Sequence, residues 1–266
     1  MPPNLPTVTG ACPTFSVGMG TSITVSAGGN SISANVWAGS ASTSGDGGPL
    51  IIWWHGTASS PGGEIPISVD TAAVAAAGGI IAGFVSSTRT GTPTGNTGDA
   101  VWYTSDGAFA DQLVACAIKN YHIDPRRIHS AGYSAGGLQT VWMWFARSGY
   151  LASVISYSGG DSLINKAPMQ DPANLPAAIA AHGAMGADVL GLDFATASAT
   201  WLSEIKSGGG FGIDCNDGGS HLAFFTQRAP PLKPVAWQFF KDHPFGIKPE
   251  PYTSLPSGFP SYCKIN

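Results

Sequence analysis

The sequence predicts an α/β fold: a mostly parallel central sheet, an N-terminal antiparallel hairpin, and helices on both faces. Three observations predict it. Ile23 and Val25, then Ile32, Ala34 and Val36, alternate with polar neighbours around the turn Gly28-Gly29-Asn30, as a hairpin does. Leu50-Ile51-Ile52-Trp53-Trp54 is an unbroken apolar run, as expected of a strand buried on both faces. Beyond it, strand-like and helix-like segments alternate, the order that builds parallel strands through crossover helices.

The elements follow in order. Residues 1–20 read as coil, and 21–266 as one domain. Residues 39–48 form a polar loop. A helix is expected around 69–77 and a strand over 79–85, followed by a Thr/Gly/Pro loop from 86 to 105. Phe109, Leu113, Val114 and Ile118 have helical spacing, giving a helix over 107–121 that Asp124-Pro125 should break. Strands are expected at 127–131, 151–157, 177–181 and 211–215, and helices at 135–147, 193–205 and 235–241. Residues 158–175 are a loop and a candidate cap. A Pro-rich tail ends the chain.

Composition narrows the classes. Of 266 residues, 43% are hydrophobic and only 11% charged, with 8 Trp, 7 Tyr and 12 Phe, which argues against disorder. Only 12 residues are Lys or Arg and the net charge is −4, which leaves no cationic footprint for nucleic acid. The longest apolar run, 72–85, is shorter than the ~18 residues of a membrane span. Cys12, Cys116, Cys215 and Cys263 are even in number and lack CxxC spacing, which favours disulfides over a zinc site. A secreted monomer whose leader is replaced by Met1 is the expectation, with neither membrane nor nucleic acid as a partner.

Gly132-Tyr133-Ser134-Ala135-Gly136 fits G-x-S-x-G between a predicted strand and a predicted helix. Such a turn strains the serine backbone, exposes its hydroxyl and sets it at a helix N-terminus that favours negative charge. Ser134 is therefore the candidate nucleophile. Two backbone N–H groups are candidate oxyanion donors: Ala135, next in the chain, and Thr57, in the loop Trp54-His55-Gly56-Thr57 after the first central strand. His55 is a candidate substrate-binding residue at the edge of this site, although bonding to loop backbone is its expected task. Of the six histidines, His182, His221 and His243 follow Ser134. His221, in a Gly-rich loop after the last central strand, is the candidate base, and His243 is expected to cap a helix. Asp188 is the candidate acid, with Asp193 the alternative and helix capping its expected role. Trp54, Trp102 and Tyr103 could line the cleft or belong to the scaffold, and Trp142 and Trp144 should be core.

The run from Asp111-Gln112-Leu113 through Tyr121-His122-Ile123-Asp124-Pro125-Arg126-Arg127-Ile128 to Gly132-Tyr133-Ser134-Ala135-Gly136-Gly137 resembles secreted polyhydroxybutyrate depolymerase-like esterases. These are α/β-hydrolases related to feruloyl and acetylxylan esterases. His55-Gly56, His182-Gly183 with Asp188, Asp214-Cys215, Gly218-Gly219-Ser220-His221 and Trp237-Gln238-Phe239-Phe240 extend the resemblance over roughly 45–245. It implies an α/β-hydrolase fold and extracellular ester hydrolysis without metal or organic cofactor. Ser134, Asp188 and His221 would be the triad, with Thr57 and Ala135 as oxyanion donors. The substrate would be a polyester, or a feruloyl or acetyl ester of plant cell wall. A peptidase and a non-catalytic binding protein on the same fold are the competing readings. Four cysteines allow three pairings. If Cys215 pairs with Cys263, the tail is pinned beneath the His221 loop, and Cys12–Cys116 is the other bridge.

Overall fold

The computed structural model describes residues 2–40, 47–95, 101–161, 166–184, 186, 192–221 and 232–266. Nine strands form one sheet in the order β1-β2-β4-β3-β5-β6-β7-β8-β9. β1 (Gly18–Ala27) and β2 (Asn30–Ala38) are the expected hairpin, in register from Ala27↔Asn30 outward. β2 runs antiparallel to β4 (Ile80–Phe84). β3 (Gly48–Trp54), β4, β5 (Ile123–Tyr133), β6 (Ser153–Tyr157), β7 (Ala177–His182) and β8 (Gly212–Asn216) are parallel.

Alternation along β3 explains the two cores. Leu50, Ile52 and Trp54 point to one face, where α3 (Gly107–Asn120), α4 (Ala135–Ala146) and α5 (Phe194–Ser207) pack. Ile51 and Trp53 point to the other, against α1 (Pro61–Ser68), α2 (Thr71–Ala76) and α6 (Lys233–Asp242). All seven β3 residues are therefore buried. Among the described residues no helix is long and apolar enough to cross a membrane.

Three elements differ from expectation. α1 lies ahead of the helix expected around 69–77, in the sequence Pro-Gly-Gly-Glu-Ile-Pro-Ile-Ser. It forms because Ser60 caps it, accepting from Gly63 N, and Pro61 sits in the first turn, where its missing N–H costs nothing. β5 includes Asp124-Pro125, because the proline lies where the register to β3 shifts, between Gly48 and Leu50. The tail ends in β9 (Cys263–Ile265), antiparallel to β8 with Cys215 opposite Cys263. That pair is disulfide-bonded, as is Cys12–Cys116, which ties the N-terminal coil to α3.

The chain steps from β3 to β4 on one side, then returns past β3 to β5 and continues outward. The strand order therefore reverses between β3 and β5. In open α/β sheets the crevice beyond the carboxyl ends of such strands is where ligands bind.

Candidate active site

Ser134 stands directly after β5, at the N-cap of α4. Its backbone is left-handed, φ 55° and ψ −118°, a conformation that costs a non-glycine residue about 1–3 kcal/mol. Serine at this position usually accepts a hydrogen bond from its own helix. Here it makes no cap bond, and Ser134 Oγ lies 3.0 Å from His221 Nε2. Ser134 N donates to Tyr157 O at 2.8 Å, which fixes the strained turn to β6.

The turn is so tight that only glycine fits beside it. A Cβ at Gly136 would stand 1.8 Å from Trp54 O. This close approach lays the elbow against the end of β3, bringing in the loop that follows. A Cβ at Gly56 would stand 2.9 Å from Tyr133 Cδ1 and 3.2 Å from Ser134 Cβ. The Gly56–Thr57 peptide thus borders Ser134.

Buried groups hold that peptide. Gly56 N donates to Glu64 Oε1 at 2.9 Å, so this N–H is unavailable to a substrate. Trp53 Nε1 donates to Glu64 Oε2 at 2.8 Å, and burial pushes the Glu64 carboxyl above its ordinary value. Gly56 O faces His55 Nδ1 at 2.7 Å and accepts from Ser59 N at 3.2 Å. His55 Nε2 faces Val85 O at 3.0 Å, so the ring meets loop backbone on both sides. Thr57 N makes no hydrogen bond among the described residues. Ala135 N, in the first turn of α4, has no acceptor within its own helix.

The tryptophans are a correction. Trp54 and Trp102 are 0% and 1% exposed and packed in the scaffold. Trp54 Nε1 donates to Ser130 Oγ and Trp102 Nε1 to His55 O, and the two indoles pack edge-to-face. Trp102 thereby holds the loop that carries Gly56 and Thr57 at His55 O. Tyr103 is half-buried, its N–H donating to Asp106 Oδ2 at 2.8 Å. Trp142 and Trp144 are core.

His221 is buried. Its ring packs against Tyr133, 5.1 Å away, and Phe194, stacked at 5.0 Å. Burial pushes its imidazole down to about 4, favouring the neutral form that a base requires. Its Nδ1 is buried with no hydrogen-bond partner among the described residues. Asp188 lies outside the described residues. Asp193 is a helix cap, accepting from Thr196 N and Gly186 N. Asp214 is engaged by His182 Nε2 at 2.8 Å and by Lys264 Nζ at 3.3 Å. Burial opposes ionisation of Asp214, but these two partners hold its carboxyl below the ordinary value. His243 sits at the end of α6, its Nδ1 facing Phe239 O, as a capping histidine does. Glu64 and its grip on Gly56 were not anticipated; a buried acid eight residues beyond the loop carries no motif.

No protein-family model matches the chain, and no curated protein does. Solved structures do. The native pOPH crystal structure superposes with a TM-score of 0.70 at 17% identity, covering 96% of this chain and 97% of that one. The native sOPH structure gives 0.66 at 20% identity, over 96% and 97%. A thermostable esterase gives 0.62 at 12% identity, over 84% of this chain and 63% of its own. The chain has the α/β-hydrolase fold. At these identities the likeness concerns architecture, and chemistry has to be argued from the site.

Proposed function

We propose that this protein is a serine carboxylesterase working through an acyl-enzyme. The observation that carries the reading is the 3.0 Å contact between Ser134 Oγ and His221 Nε2, made by a serine held at φ 55° on a strand–helix elbow. Ser134 attacks the ester carbonyl while His221 Nε2 takes its proton. The oxyanion meets the N–H groups of Ala135 and Thr57. The alcohol leaves with the proton from His221, and water then releases the acid by the same steps in reverse. Asp188 is proposed as the acceptor for Nδ1–H of His221, which otherwise has no described partner. No metal or organic cofactor enters these steps.

Structural likeness to proteins described as esterases supports the ester reading. The sequence resemblance supports an acyl polymer and a feruloyl or acetylxylan ester about equally as substrate. The two disulfides support an extracellular setting.

The test is hydrolysis of p-nitrophenyl butyrate by wild type and Ser134→Ala side by side. Turnover by the wild type and a loss of about 10³-fold or more in the variant is the expected outcome. A folded wild type without turnover, on this and on polymeric and feruloyl esters, would return the protein to the binding-protein reading.

A further inference from the structure

We infer that Tyr133, the residue before the proposed nucleophile, is a positioning residue that holds the base in line through the His221 carbonyl and ring; this rests on Ser134 and His221 acting as a pair. The side chain does two things at once. Its hydroxyl donates to His221 O at 2.9 Å, and its ring lies 5.1 Å from the imidazole at an interplanar angle of 33°. The main chain of Tyr133 carries Ser134. One residue therefore links nucleophile and base, with its backbone on one and its side chain on the other.

The surroundings point the same way. Ser158, which follows β6, also sits in left-handed backbone, at φ 46°, and its N–H donates to Ala181 O at 2.7 Å. This strained turn brings Ser158 Oγ to 3.4 Å from the same His221 carbonyl. Phe194 stacks on the same ring, with centroids 5.0 Å apart. Before His221 the loop is held by Asp217 N donating to His182 O, Ala184 N to Gly219 O, Gly218 N to Asn216 Oδ1 and Gly219 N to Asp217 Oδ1. Among the described residues, the imidazole itself has one polar contact, Ser134 Oγ. Its aim therefore depends on how firmly its own carbonyl and its ring are held. A hydroxyl is needed for the first, and a flat ring for the second.

The experiment compares wild type, Tyr133→Phe, Ser158→Ala and the double variant. Tyr133→Phe keeps the ring and removes the donor. The expected result is a kcat about tenfold lower with KM within about twofold, measured well below the melting temperature, the scale of one lost buried hydrogen bond. The double variant should lose less than the product of the two single losses, because both donors serve one carbonyl. A lowered melting temperature with unchanged kcat would make Tyr133 a scaffold residue and overturn the inference. A second readout needs no turnover. The ¹H–¹³C signal of the His221 Cε1–H should broaden or average in Tyr133→Phe, and an unchanged signal would overturn the inference even if kcat fell. If the wild type proves inert, the esterase reading fails in that assay, and the NMR arm still decides whether Tyr133 fixes the ring.

Discussion

The same dipeptide, His-Gly, follows the apolar part of two parallel strands, and in both the histidine ring faces the carbonyl of the next residue. At the end of β3, His55 Nδ1 lies 2.7 Å from Gly56 O. At the end of β7, His182 Nδ1 lies 2.8 Å from Gly183 O. The two diverge at the following amide. Among the described residues Thr57 N has no partner beside the serine elbow, whereas Ala184 N donates to Gly219 O in the loop that carries His221. The far ring nitrogens also differ, with a carbonyl for His55 and the Asp214 carboxylate for His182. Identical local chemistry thus makes the same gripped peptide twice. Position in the sheet decides the surroundings of each, because β3 adjoins β5 and its elbow while β7 adjoins β8 and the His221 loop.

The largest effect should come from breaking the β3 half. Gly56→Ala would push a methyl against Tyr133 and Ser134 and move the Thr57 N–H. Steady-state kinetics should show kcat lower by about 10²–10³-fold, the scale of one lost oxyanion donor, with a smaller change in KM. A variant within threefold of wild type would mean that this peptide is not the donor. The β7 half should matter less, since it acts through the loop. Asp214→Asn leaves His182 with a neutral partner, and kcat should fall by about tenfold, on the order of one charge-assisted hydrogen bond. Equal losses in the two halves would erase the distinction between them.

Glu64→Gln sharpens the β3 side further. The amide offers one oxygen where two N–H groups now find acceptors, so either Gly56 N or Trp53 Nε1 loses its partner. A drop of several-fold in kcat and a melting temperature lower by a few degrees are expected, the latter read by calorimetry.

The smallest effect is acid sensitivity. His221 is depressed from 6.5 to about 4 and His129 well below 6.5, both chiefly by burial. Each binds its proton more readily when unfolded, so stability should fall as pH drops below about 6.5, with the His221 share complete near 4. Melting temperature against pH should show this slope, and His221→Asn should flatten part of it while His129 keeps the rest. The same depression moves the acid limb of kcat/KM below the value near 6–7 that an ordinary histidine would give.

Much of this was legible from the residues. Strand β3 announces itself because five apolar residues in succession can only be buried on both faces. The elbow is legible because its glycines are required by contact with Trp54 O, so spacing alone records the geometry. The tryptophans were not legible. An indole at a strand end serves a cleft or a core equally well, and only its neighbours decide. Trp102 proves to carry His55 O, and Trp54 to fill the space beneath it. Helix α1 was hidden because Pro and Gly normally stop helices, and a cap at Ser60 outweighed them.

What the sequence determined by itself is local and periodic: most strands, most helices and the G-x-S-x-G turn. These depend on residues a few positions apart, where sterics and burial act directly. Contacts over long separations were decided by tertiary structure alone. Glu64 reaches back to Gly56 because α1 folds against β3. Tyr133 reaches His221, 88 positions on, because β5 to β8 align their carboxyl ends. A hydrogen bond has no signature in the spacing of its partners until the sheet brings them within 3 Å of each other.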